Sequence, residues 1–85
     1  MSRVKFMFAL IDNGKFKIKT ETDFATYSKT FKLDDVDKMA RFLKQFKNQP
    51  HIATSSSIDF PEDDGAPEGF DARAKLGQAM QLAWS

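Results

Sequence analysis

The chain has 85 residues, 41% of them hydrophobic, with thirteen Lys/Arg against twelve Asp/Glu and no cysteine. That length makes a single domain, residues 1–85, which hides only about two-thirds of its unfolded surface on folding, so the nine phenylalanines have to serve as an efficient core. The absence of cysteine excludes disulfides, thiolate zinc sites and a cysteine nucleophile, and suits a reducing compartment. No apolar run approaches the roughly 20 residues that span a bilayer, and the opening stretch is too short and interrupted for a signal peptide. A cytoplasmic protein without a membrane partner is expected.

The near-neutral balance hides a gradient. Positions 1–51 hold eleven Lys/Arg against six Asp/Glu, a charge of +5, and positions 52–85 hold two against six, a charge of −4. Such asymmetry either orients a molecule toward a charged partner or lets its two halves attract each other in the fold.

The opening, RVKFMFALIDNGKFKIKT, reads as a β-hairpin. In alternation, Phe6, Phe8, Leu10, Phe16 and Ile18 fall on one face and Arg3, Lys5, Lys15, Lys17 and Lys19 on the other. The first set is expected to build the core and the second to face water. Two turns compete. A two-residue Asn13-Gly14 turn sets Ile11 opposite Phe16 and Leu10 opposite Lys17, mixing apolar and charged residues on both faces. A three-residue Asp12-Asn13-Gly14 loop, with Gly14 as a left-handed bulge, sets Leu10 against Phe16 and Phe8 against Ile18. The alternation favours the three-residue loop, which also brings Lys5 across from Glu21.

Residues 25–33, ATYSKTFKL, read as a third strand that buries Tyr27, Phe31 and Leu33. Lys29 shares their side, which points to an edge strand or a local bulge. A helix follows in LDDVDKMARFLKQFKN, capped by Asp34, with Val36, Met39, Ala40, Leu43 and Phe46 on its apolar stripe and Lys44 and Lys47 near its end. Phe42 lies off the centre of that stripe. Residues 52–60, IATSSSIDF, fit a soft strand or an extended Ser/Thr loop, and PEDDGAPEG fits an acidic loop. The tail reads as a second helix, with Asp71 near its start and Ala72, Leu76, Ala79, Met80 and Ala83 on one stripe. Phe70, Leu82 and Trp84 fall beside it, so that helix is either wedged between layers or carries an oligomer contact. Gly77 inside it costs about 1 kcal/mol relative to alanine and implies close packing, within the chain or in a homodimer through this helix. The expected fold is α+β, a small antiparallel sheet against two helices in the order β-β-β-α-β-α.

No catalytic or cofactor motif is present. The single histidine, His51, has no nucleophile elbow beside it although Ser55–Ser57 are near in sequence, and the four glycines form no phosphate loop. A non-enzymatic binding protein without cofactor or metal is therefore expected. Aligned on Gly65, Glu62, Asp64 and Asp71 fall at offsets of a calcium loop, but Phe60 occupies the first ligand position and two prolines interrupt the region. The strongest binding candidate is the basic strand face: lysines at alternate positions of adjacent strands form an array that follows phosphates without base geometry. Arg3, Lys5, Lys15, Lys17 and Lys19 are its residues and nucleic acid the first partner. Stacking aromatics are scarce, with Tyr27, Phe24 and Phe42 as candidates. A wet sheet face also carries lysine simply to prevent edge-to-edge aggregation. The alternative partner is a protein, met by the acidic residues Glu62, Asp63, Asp64 and Glu68 together with Trp84. An inhibitor or adaptor of that kind suits an accessory protein of a mobile genetic element, such as an inhibitor of host defence.

Overall fold

Asn13 and Gly14 both have positive φ, 53° and 73°, the paired left-handed conformation of a two-residue hairpin turn whose twist matches that of the strands it joins. This computed structural model, which describes residues 3–47, 49, 52, 58–60 and 65–85, thus corrects the expected three-residue loop. Strand β1 (Val4–Asp12) pairs antiparallel with β2 (Lys15–Thr22), with Asp12 opposite Lys15, Ile11 opposite Phe16 and Ala9 opposite Ile18. The consequence is an inverted face on β1. Phe16 and Ile18 point into the core as expected, and they take Ile11, Ala9 and Met7 with them, all buried. Phe6, Phe8 and Leu10 go to the other side. The pairing shifts by one between Val4 and Phe6, so Lys5 is the extra residue and Phe6, not Lys5, stands opposite Glu21.

Strand β3 (Thr26–Phe31) pairs antiparallel with β2, completing a sheet of order β1-β2-β3. Thr22 organises the turn before it: its hydroxyl donates to the Ala25 carbonyl at 3.0 Å and accepts from the Ala25 amide at 3.1 Å and the Phe24 amide at 3.3 Å. Tyr27 and Phe31 share the core side by register with Lys29 between them, but only Phe31 is buried there, Tyr27 being 38% exposed at the sheet edge. Leu33 falls beyond the strand and is half-buried.

Helix α1 (Val36–Lys44) is capped by Asp35 rather than Asp34: the Lys38 amide donates to Asp35 Oδ1 at 3.2 Å. Asp37 in its first turn and Arg41 and Lys44 in its last suit the helix dipole. Phe42 widens the buried face, since its ring meets Phe31 at 5.8 Å and Phe46 at 5.5 Å, and Phe46 in turn meets Tyr27 at 5.7 Å. Each such edge contact contributes about 0.5–1.5 kcal/mol beyond its area, and together they clamp α1 to β3. Helix α2 (Ala72–Trp84) is capped by Asp71, which accepts from the Ala74 amide at 3.1 Å, and buries the expected Leu76, Ala79, Met80 and Ala83. It packs on α1, with Phe70 and Trp84 half-buried against the core and Leu82 exposed.

The architecture is α+β, with two helices on one face of an antiparallel sheet. Of the expected strand at 52–60, residues 53–57 lie outside the described residues. Its two ends are anchored, with Ile52 and Ile58 buried, Asp59 in an isolated parallel bridge to Phe8, and the Ala9 amide donating to the Asp59 carbonyl at 2.9 Å. Arg73 ties α2 to this segment, donating to the Ile58 carbonyl at 3.1 Å and lying 4.7 Å from the Phe60 ring centroid.

The inverted face has a direct measure in urea unfolding. Ile11→Ala is expected to cost about 3 kcal/mol, as a buried aliphatic truncated to alanine, whereas Phe6→Ala costs less than about 1 kcal/mol because Phe6 is 47% exposed. Equal costs would contradict this register. Thr20 supplies a second test, since its hydroxyl is buried without a hydrogen-bond partner among the described residues. Thr20→Val is expected to raise stability by about 1 kcal/mol in the same assay.

Candidate nucleic-acid interface

Because side chains alternate across each strand, the register builds a grid on the sheet face away from the helices. Leu10, Lys17 and Thr30 form one row; Phe8, Lys19 and Ser28 the next; Phe6, Glu21 and Thr26 the third. Strands stand about 5 Å apart and same-face rows about 6.7 Å apart, so the array runs from an apolar column on β1, through a charged column on β2, to a hydroxyl column on β3. The column on β1 is aromatic at one end. Phe6 and Phe8 have ring centroids 6.0 Å apart and planes within 15°, and Lys19 Nζ lies 5.8 Å from the Phe8 centroid, within cation–π range. Phe8, Leu10, Lys17 and Lys19 are each half-buried, the lysines standing directly opposite Phe8 and Leu10 in the manner of long side chains that cover apolar surface with their stems.

The candidate basic residues divide between this grid and its margins. Lys17 and Lys19 are central to it. Lys15 is on the same side by register but stands at the hairpin end, where it lines an open cleft of about 470 Å³ together with Lys32, Lys75, Asp34 and Phe70. Lys5 sits exposed at the pairing shift, and Arg3 is exposed just ahead of β1. The Arg3 carbonyl accepts from the Asp23 amide at 3.1 Å, which brings the β2–β3 turn, and with it Phe24 at 81% exposure, to the Phe6 end of the sheet. Among the described residues the ion pair is Lys38 with Asp35 at 3.8 Å, and Lys15, Lys17 and Lys19 take part in none.

Alternation alone missed Phe6, Phe8 and Leu10 as surface residues. The signal that identifies them is the Asn13-Gly14 dipeptide, which specifies the two-residue turn and therefore which apolar set on β1 faces out. Of the other stacking candidates, Tyr27 and Phe42 are engaged with the helix layer, and Phe24 remains at the surface.

The acidic alternative is less assembled. Glu62, Asp63 and Asp64 lie outside the described residues, as does His51. Glu68 is exposed in the turn before α2, while Trp84 is half-buried at the far end of that helix, which is about 20 Å long. Asp71 uses its carboxylate to cap α2. Among the described residues no three or more His, Cys, Asp or Glu side chains gather to hold a metal ion, and no helix is long and apolar enough to cross a membrane. Comparison with protein-family models, with curated proteins and with solved structures finds no match for the chain.

Gly65, which follows the acidic run, lies against the hairpin turn. Gly65 has φ +83°, and a Cβ there would lie 2.7 Å from the Gly14 amide nitrogen, closer than packed atoms come. Gly14 at φ +73° has ordinary space, its nearest neighbour being 3.6 Å away. In chemical denaturation Gly65→Ala is therefore expected to cost more than about 2 kcal/mol, combining left-handed strain with the clash, and Gly14→Ala only about 1 kcal/mol from the strain. Similar costs for both would mean that the two glycines do not meet.

Proposed function

We propose that this chain is a non-enzymatic binding protein that docks a polyanion, nucleic acid in the first instance, on the outer face of its sheet. The observation that carries the reading is the pair Lys17 and Lys19, held at the middle of an open sheet face without ion-pair partners among the described residues. Two lysines that leave the same face of one strand about 6.7 Å apart at the backbone are suited to successive phosphates, and lysine acts on phosphate as a point charge that needs no fixed fork geometry. Lys5 and Arg3 extend the positive margin at one end and Lys15 at the other. The hydroxyl column Thr26, Ser28 and Thr30 adds neutral donors for phosphate or sugar oxygens. The reading puts the protein in the cytoplasm, in keeping with a cysteine-free chain.

The test is fluorescence anisotropy of labelled oligonucleotides at low and physiological salt, with light scattering to report aggregation. Saturable binding that weakens steeply with salt is expected. Replacing Lys17 and Lys19 together by glutamine should weaken it about tenfold and reduce the slope of log affinity against log salt by about 1.4, from two lost phosphate contacts. Wild-type affinity in that variant would remove the sheet face as the docking surface.

A further inference from the structure

Lysines alone do not account for the face they stand on. Phe6 is 47% exposed, Phe8 and Leu10 are half-buried beside it, and Phe24 is 81% exposed at the same end of the sheet. A partner presenting only phosphates would leave these aromatic surfaces in water. Phe6 and Phe8 are stacked beside one another, ring centroids 6.0 Å apart and planes within 15°, next to Lys17 and Lys19, and Lys19 Nζ lies 5.8 Å from the Phe8 centroid.

We infer that the ligand of this face is a single-stranded nucleic acid whose bases stack on Phe6 and Phe8 while its phosphates run along Lys17 and Lys19. The inference rests on the docking reading above and narrows its substrate. Every base has a π-face, so stacking on aromatic side chains beside a positive track binds single strands with little sequence preference. In a duplex those π-faces are already covered by neighbouring base pairs, and the two phenylalanines gain nothing from its phosphate exterior. A second copy of the chain is the other occupant able to cover apolar surface. A two-fold interface pairs residue i with residue j and j with i, so a second copy could set Lys17 and Lys19 against Glu21 of the other chain, and it is one outcome of the test below. Lys17 and Lys19 take part in no ion pair among the described residues, and a polyanion is the occupant that supplies their counter-charge.

The experiment compares a short oligothymidylate with an abasic strand of the same length and phosphate count, and with a duplex, for the wild-type protein and for Phe6→Leu/Phe8→Leu and Phe6→Tyr. Leucine keeps the positions apolar but removes the π-faces, and tyrosine retains the π-face at position 6. Circular dichroism and urea unfolding establish that each variant is folded. The oligothymidylate is expected to bind about five- to a hundredfold more tightly than the abasic strand. The leucine pair should abolish that advantage without changing the salt slope, and Phe6→Tyr should keep it. Equal affinity for the base-bearing and abasic strands would overturn stacking while leaving phosphate docking in place. Failure of every strand to bind at low salt would overturn the docking reading and this inference together. A wild-type dimer that the leucine pair dissociates, with no strand bound by either protein, would assign the face to a second copy instead.

Discussion

Two left-handed residues, Asn13 and Gly14, determine which side of this protein meets solvent. A two-residue turn leaves no freedom in the pairing that follows it: Asp12 meets Lys15, and every later contact across β1 and β2 is counted from there. On β2 the choice of face is forced, because one parity is Phe16 and Ile18 and the other is lysine. On β1 it is not. Both parities are apolar, Met7, Ala9 and Ile11 on one and Phe6, Phe8 and Leu10 on the other. The turn decides between them, and it sends the larger aromatic set outward.

The helix layer is consistent with that outcome. The inward set on β1 has Ala9 at its centre, fully buried, with Ile11 and Met7 on either side. The segment 58–60 lies along the same strand and receives the Ala9 amide. On the opposite edge the demand for aromatic bulk is met by other residues: Phe31, Phe42, Phe46 and Tyr27 make a continuous run of edge contacts between β3 and α1. Phe16 fills the middle, edge-on to Phe60 at 6.3 Å. The core thus uses aromatics from β2, β3 and α1, and the phenylalanines of β1 are left for the surface.

How legible this was in the residues differs from element to element. Helix α2 could be read almost completely, because Asp71 as cap and the spacing of Leu76, Ala79, Met80 and Ala83 admit one helical face. Helix α1 was displaced by a single residue at its cap, where Asp34 and Asp35 are chemically equivalent and only the backbone distinguishes them. The lysine column of β2 was legible because charge leaves it no other face. The aromatic column of β1 was not, since periodicity carries no information where both parities are apolar. There the local turn chemistry outweighs the pattern: Asn13-Gly14, and not alternation, fixes which face of the strand is buried. The same reversal accounts for the exposed phenylalanines: in the two-residue register the lysines of β2 stand beside Phe6 and Phe8.

That juxtaposition bears on the energetics of the proposed site. Lys17 and Lys19 leave the same face of one strand about 6.7 Å apart at the backbone, a spacing comparable to the roughly 8 Å screening length at physiological ionic strength, so like charge is concentrated there. Glu21 follows them in the same column and offsets only part of this. Lys19 is held over the Phe8 ring and Lys17 stands opposite Leu10, so both lysines border apolar surface. A polyanion relieves that repulsion, and an aromatic ligand surface removes the neighbouring rings from water. Neither gain is available to a ligand that is only charged or only apolar. The mixed face, which looks like a failure of amphipathic patterning in a β-sheet, becomes coherent when the partner is itself alternately charged and aromatic.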